Sequence, residues 1–146
     1  MTALFEHSPW VEARADARPS SGDRHADLMA VVATASDAER LALIRAHPEL
    51  AGKAAIDGTL TQASAAEQAS AGLDRLTAEE FARFHDLNTR YRARFGFPFI
   101  ICVRLTDKAG ILAAMAARLA NERDVEIATA IGEIGKITKL RLEGAA

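Results

Sequence analysis

The run Phe97-Pro98-Phe99-Ile100-Ile101-Cys102-Val103 constrains the fold of this chain more than any other feature. It is apolar on both faces and too short for a helix, and its proline breaks a helical pattern, so it predicts a buried extended segment. The sequence around it is patterned for helices and offers no partner strand. Its backbone N–H and C=O groups are therefore left to bind a neighbour or a ligand.

On either side the helix signals are frequent. Ser8-Pro9 predicts an N-cap followed by proline in the first turn, and Arg18-Pro19-Ser20-Ser21-Gly22 ends that short helix. A second helix is expected from about Asp23 to Ala33, burying Leu28, Val31 and Val32. Ser36-Asp37-Ala38-Glu39 has the form of a capping box, and Pro48 stops the third helix near His47, which is left in a turn or extended conformation. Residues 49–63 read as a loop with room for a helical turn. Ser64-Ala65-Ala66-Glu67 and Thr77-Ala78-Glu79-Glu80 repeat the capping-box pattern. After Thr77, Phe81, Phe84, Asn88, Tyr91 and Phe95 recur at helical spacing up to Gly96. Two further helices, about Asp107–Asn121 and Asp124–Leu142, complete an all-α, single-domain helical bundle spanning residues 1–146, with a short buried extended segment near residues 97–103.

Composition narrows the function classes. A chain of 146 residues that is 49% hydrophobic builds a core without disulfides, and its one cysteine has no internal partner. The net charge of -2 argues against a nucleic-acid surface, so Arg90-Tyr91-Arg92-Ala93-Arg94 reads as a solvated helix face. No stretch approaches the ~18 apolar residues of a membrane span, and Glu6 and His7 stand where a signal peptide needs an apolar run, so a cytoplasmic protein is expected. Cys102 and the four histidines have no zinc-ligand spacing, so no structural metal is expected. Gly52-Lys53-Ala54 and Gly135-Lys136-Ile137 both lack the rest of a phosphate-binding loop.

Three residues invite a chemical reading. His47 sits at a helix C-terminus, where the dipole favours an imidazolium, although on the residues alone a capping or surface histidine is the better account. Glu67 is either the N3 partner of Ser64 or, with Ser64 and Gln68, part of a helix N-terminus that holds an anionic or amide-rich ligand. Cys102, inside an apolar run without a charged neighbour, reads as an inert core thiol.

Four blocks carry a family likeness: Phe5-Glu6-His7-Ser8-Pro9-Trp10, the stretch from Leu43 to Gly52 around His47-Pro48-Glu49, the stretch from Ser64 to Leu73, and the stretch from Phe95 to Arg104. Together and in this order they resemble OHCU decarboxylase, the 2-oxo-4-hydroxy-4-carboxy-5-ureidoimidazoline decarboxylase of urate degradation. The resemblance implies a helical, homodimeric enzyme that acts on a small molecule without metal or organic cofactor. It makes His47 catalytic, with Glu67, and places Pro48, Ser64, Ala65, Ala66 and Gln68 at the substrate. Phe99, Ile100, Ile101, Cys102 and Val103 become the substrate-facing segment, and Arg141, in the Leu140-Arg141-Leu142 ending, a third catalytic residue, whose guanidinium fork suits the substrate carboxylate. The competing reading is a helical interaction module without catalysis. It does not need His47, Glu67 and residues 99–103 to converge, whereas an enzyme must gather them around one pocket. Hydrolysis of a ureide is weaker, because such hydrolases generally need metal ligands that the chain lacks.

Overall fold

A computed structural model describes residues 4–52 and 58–145. Among them lie seven α-helices and no strand: α1 (Trp10–Asp16), α2 (Arg24–Thr34), α3 (Asp37–Arg45), α4 (Gln62–Ser70), α5 (Ala78–Phe95), α6 (Lys108–Arg118) and α7 (Arg123–Ala145). One turn of 3-10 helix, Val103–Leu105, precedes α6.

Side-chain caps set most of the helix starts. The carboxylate of Asp23 accepts from the Ala26 amide, Asp107 does the same for Gly110, and Ser36 and Thr77 close reciprocal boxes with Glu39 and Glu80. Two expected caps differ. The Ser8 hydroxyl turns back to donate to the Glu6 carbonyl, leaving Pro9 as a cap residue without a side-chain bond. The fourth helix begins a turn earlier than Ser64: Thr61 Oγ1 accepts from the Ser64 amide, so Ser64 is itself the third helical residue. Glu67 is thereby released from the capping role. Of the loop expected over 49–63, residues 53–57 lie outside the described residues.

Helix α5 carries the apolar stripe read from its period, with Phe84, Leu87, Asn88, Tyr91 and Phe95 buried. Phe81, expected in that stripe, is 39% exposed, because it sits in the first turn beside a surface groove with Leu73 and Leu76. Gly96 ends α5 in the left-handed region at φ 80°, and the last carbonyls are closed by arginines from elsewhere: Arg123 Nε donates to Phe95 O at 3.1 Å and Arg45 Nε to Gly96 O at 3.1 Å.

The chain then enters the segment that opened the sequence argument. Phe97, Pro98, Phe99 and Ile100 are buried with no regular secondary structure, and Tyr91 holds the rings of Phe95, Phe97 and Phe99 at centroid distances of 4.6, 6.0 and 5.4 Å. Side chains replace the missing strand. Arg118 Nη1 donates to Ile100 O at 2.8 Å, and the Cys102 amide donates to Glu133 Oε1 at 3.0 Å. Arg118 is anchored in turn on Glu126, fully buried, which also accepts from the Tyr91 hydroxyl at 2.5 Å. Such a network tolerates burial because each charge meets an opposite charge or a strong donor.

Helix α7 packs against α2 and α3, α6 against α5, and α4 against the 3-10 turn. That last contact lays one face of α4 along the buried segment, while α7 delivers its C-terminal third to the same place.

Candidate active site

His47 follows the last turn of α3, where its ring does the work of a C-cap. The His47 amide bonds to Ile44 O at 3.1 Å, and Nδ1 lies 3.0 Å from Leu43 O, a carbonyl that otherwise lacks its intrahelical partner. A carbonyl only accepts, so Nδ1 carries the proton and Nε2 is left with its lone pair. Nε2 is buried without a hydrogen-bond partner. Burial pushes the imidazole below its ordinary pKa, and the Leu43 bond and the charges of Glu6 and Glu67 only partly oppose this. The helix dipole was expected to favour an imidazolium; desolvation of a ring only 7% exposed outweighs it, and the ring is neutral near pH 7.

Opposite lies α4. Ser64, Glu67 and Gln68 stand three and four residues apart and share the inner face of that helix. Arg141, from α7, clamps Glu67 with a two-toothed grip, Nε to Oε2 at 2.8 Å and Nη2 to Oε1 at 2.7 Å. Nη2 also lies 2.9 Å from Oε1 of Glu6, and Nη1 reaches Leu4 O at 3.4 Å. Glu6 Oε1 further accepts from Ser64 Oγ at 2.7 Å and Thr61 Oγ1 at 2.8 Å. Burial alone would raise the Glu6 carboxyl, but those two hydroxyls and the Arg141 guanidinium hold it below its usual range. The cluster therefore contains two carboxylates and one guanidinium, all at most 14% exposed at the side chain. The Nε–Nη2 edge of the Arg141 fork, expected at a substrate carboxylate, is occupied by Glu67.

These groups border one cavity, about 480 Å³ of empty space when its mouth to solvent is counted. His47, Pro48, Ser64, Glu67, Gln68 and Arg141 line it from one side, and Phe99, Ile100, Ile101, Cys102 and Val103 from the other. Gln68 spends its side chain on the loop after Pro48, accepting from the Ala51 amide at 3.1 Å and donating to Glu49 O at 3.4 Å. Burial raises the Cys102 thiol, in keeping with an inert sulfur. Ala65 and Ala66 are exposed and lie outside the cavity, since the helical period turns those two positions away from the face shared by 64, 67 and 68.

Reasoning from sequence passed over four residues here. Glu6 holds the cluster together, and Leu50, Ile137 and Arg104 line the cavity. No local pattern marks Glu6, although it lies within the Phe5 to Trp10 block; Arg104 directly follows the apolar run. Chemically, the cavity offers a neutral imidazole nitrogen, a carboxylate locked in orientation and apolar walls. That set can move one proton and orient a polar ring.

Similar proteins are found by sequence and by shape. The family model for OHCU decarboxylase matches residues 1–143. A 2-oxo-4-hydroxy-4-carboxy-5-ureidoimidazoline decarboxylase of Haloferax volcanii is 41% identical over 142 residues, 95% of this chain and 82% of that protein. The protein of the same name from Xenopus laevis is 45% identical over 100 residues, 68% of this chain and 57% of the relative. In shape, a crystal structure of OHCU decarboxylase in the presence of (S)-allantoin covers 97% of this chain and 94% of its own, with a TM-score of 0.74 at 22% identity, a likeness of fold. A match of sequence and family model over nearly the whole length leaves one conclusion: the chain belongs to the OHCU decarboxylase family.

Proposed function

We propose that this protein decarboxylates 2-oxo-4-hydroxy-4-carboxy-5-ureidoimidazoline to (S)-allantoin in urate degradation. One observation carries the reading: His47, Glu67 and residues 99–103, which a non-catalytic helical module has no reason to gather, line a single cavity.

In this reading the bond between the ring carbon and its carboxylate breaks, and the electron pair enters the conjugated ring as carbon dioxide leaves. His47 Nε2 takes the proton of the neighbouring hydroxyl and returns it to the adjacent ring carbon, while solvent supplies the proton that replaces the lost carboxylate charge. Delivery from the His47 side alone yields one enantiomer. Glu67 orients the ring and ureido nitrogens, with Gln68 and Ser64 beside it. Arg141 acts as a positioning residue that fixes the Glu67 carboxylate. Pro48 and the Phe99–Val103 segment wall the ring, and free main-chain groups of that segment bind a ring carbonyl. No metal or organic cofactor is needed, because the substrate's own conjugation accepts the charge. The same family reading makes the protein a single-domain cytoplasmic enzyme and a homodimer, a state that sedimentation equilibrium measures directly. For the described residues, no helix is long and apolar enough to cross a membrane.

The test generates the short-lived substrate from urate with the two preceding enzymes and follows optical activity. With the protein present, (S)-allantoin is expected to accumulate faster than spontaneous decay forms racemate. Equal rates and a racemic product with and without the protein would overturn the proposal.

A further inference from the structure

The cavity has a charge problem that the residues described so far do not solve. Glu6, Glu67 and Arg141 together sum to one negative charge, and His47 adds none. A substrate bearing a carboxylate is asked to enter an apolar space that already repels it, and an unpaired buried anion is costly. Arg141 is engaged with Glu67, Glu6, Ser64 and Leu4 O. Among the described residues one other cation borders the cavity, and that is Arg104.

Arg104 has the properties that Arg141 lacks. Its guanidinium makes no hydrogen bond or ion pair among the described residues, and the side chain is exposed. Its root is nevertheless fixed. The 3-10 turn is closed by Leu105 N to Cys102 O at 3.1 Å and Thr106 N to Val103 O at 3.3 Å, and Cys102 is held by Glu133. Arg104 also borders an adjoining, larger open cavity of about 1280 Å³, which it shares with Glu67 and Arg141. It thus stands at the rim between the buried cavity and solvent.

We infer that Arg104 receives the carboxylate of the substrate, directing that group toward the rim while the ring lies against His47 and Glu67. This inference rests on the decarboxylase reading and adds a binding residue to it. The rim position suits a group that must leave. A carboxylate paired tightly in a dry pocket would be stabilised in the ground state and its loss slowed, whereas an exposed guanidinium captures the anion and gives up little when carbon dioxide departs. Arg104 therefore acts on substrate capture and selectivity for the anion, with little effect on the chemical step.

The experiment compares wild type, Arg104→Gln, Arg104→Lys and, as a charge-matched control on the exposed face of α5, Arg90→Gln. Steady-state rates with enzymatically generated substrate are expected to show a KM raised roughly tenfold in Arg104→Gln, as for a lost charge-assisted hydrogen bond, with kcat within about twofold. Arg104→Lys should recover most of the loss, and Arg90→Gln should match wild type. Titration calorimetry then measures 5-hydantoinacetate against its uncharged methyl ester. Wild type should prefer the anion, and Arg104→Gln should lose that preference while binding the ester as before. An unchanged KM in Arg104→Gln, equal weakening of anion and ester, or a wild type without preference for the anion would overturn the inference. A wild type that does not accelerate decarboxylation sinks the decarboxylase reading instead, and the calorimetric comparison still decides the role of Arg104.

Discussion

At the scale of single residues, the protonation state of His47 controls the proposed chemistry. Its Nδ1–H is fixed on Leu43 O and its Nε2 is free, so His47→Asn, which keeps polarity but has no basic nitrogen, should abolish accelerated decarboxylation while the far-ultraviolet circular dichroism stays native. Because burial lowers the pKa, the acid limb of kcat/KM is expected below the ordinary imidazole value of about 6.5. A limb centred at or above that value would contradict a buried neutral base. The same shift bears on stability. A folded-state pKa below the unfolded one means the unfolded chain binds more protons, so the contribution of His47 is full above about 6.5 and is lost as pH falls toward the folded value. Glu6 adds a second stage of the same sign, complete above about 4.5 and lost as pH falls through its own depressed pKa. Glu67→Gln tests the other partner. It keeps an acceptor for Arg141 but removes the charge, and turnover should fall by roughly a hundredfold, within the usual range for loss of one preorganised electrostatic contact to the reacting ring, with only a modest change in Tm. Normal turnover in that variant would reduce Glu67 to a structural ion pair.

At the scale of elements, the helix starts and the buried segment were legible because both depend on a few neighbouring residues. Asp23, Ser36, Thr77 and Asp107 each cap the helix that follows them. The start of α4 was misread because Thr61 and Ser64 both carry a hydroxyl three residues before a suitable amide, and only the path of the loop before them decides which one caps. For the segment, side-chain identity is expected to matter less than the main chain. The Ile101 amide makes no hydrogen bond among the described residues, so Ile101→Val should leave activity near wild type, whereas Ile101→Pro, which deletes that donor, should be severe at matched folded concentration. Unchanged substrate affinity in the proline variant would show that this amide binds nothing. Glycines give a matched pair for the helices. Gly96→Ala should cost about 1–2 kcal/mol, since φ 80° disfavours any Cβ. Gly132→Ala, in open space within α7, should gain about 0.5–1 kcal/mol. Urea denaturation reads both.

For the whole molecule, the proposed chemistry needs no added group, so activity should survive exhaustive dialysis against EDTA; loss of activity with recovery on one divalent ion would refute a cofactor-free reaction. What the sequence determined by itself is what short-range physics determines: helix caps, apolar periods, and an apolar run with proline that no helix accepts. Together with four blocks of family likeness, these also marked His47, Glu67 and Arg141 as residues to examine. Tertiary structure alone decided how they are paired. Glu6 meets Ser64 across 58 residues of sequence, and Arg141 meets Glu67 across 74. Neither contact follows from local spacing, because each depends on α4 packing against the turn after the buried segment and on α7 reaching the same place. The same packing removes water from His47 and reverses the charge expected from its helix end. Burial and the sum of nearby charges belong to the assembled elements, and those two quantities set which groups are neutral, which are clamped, and which, like Arg104, remain open to a ligand.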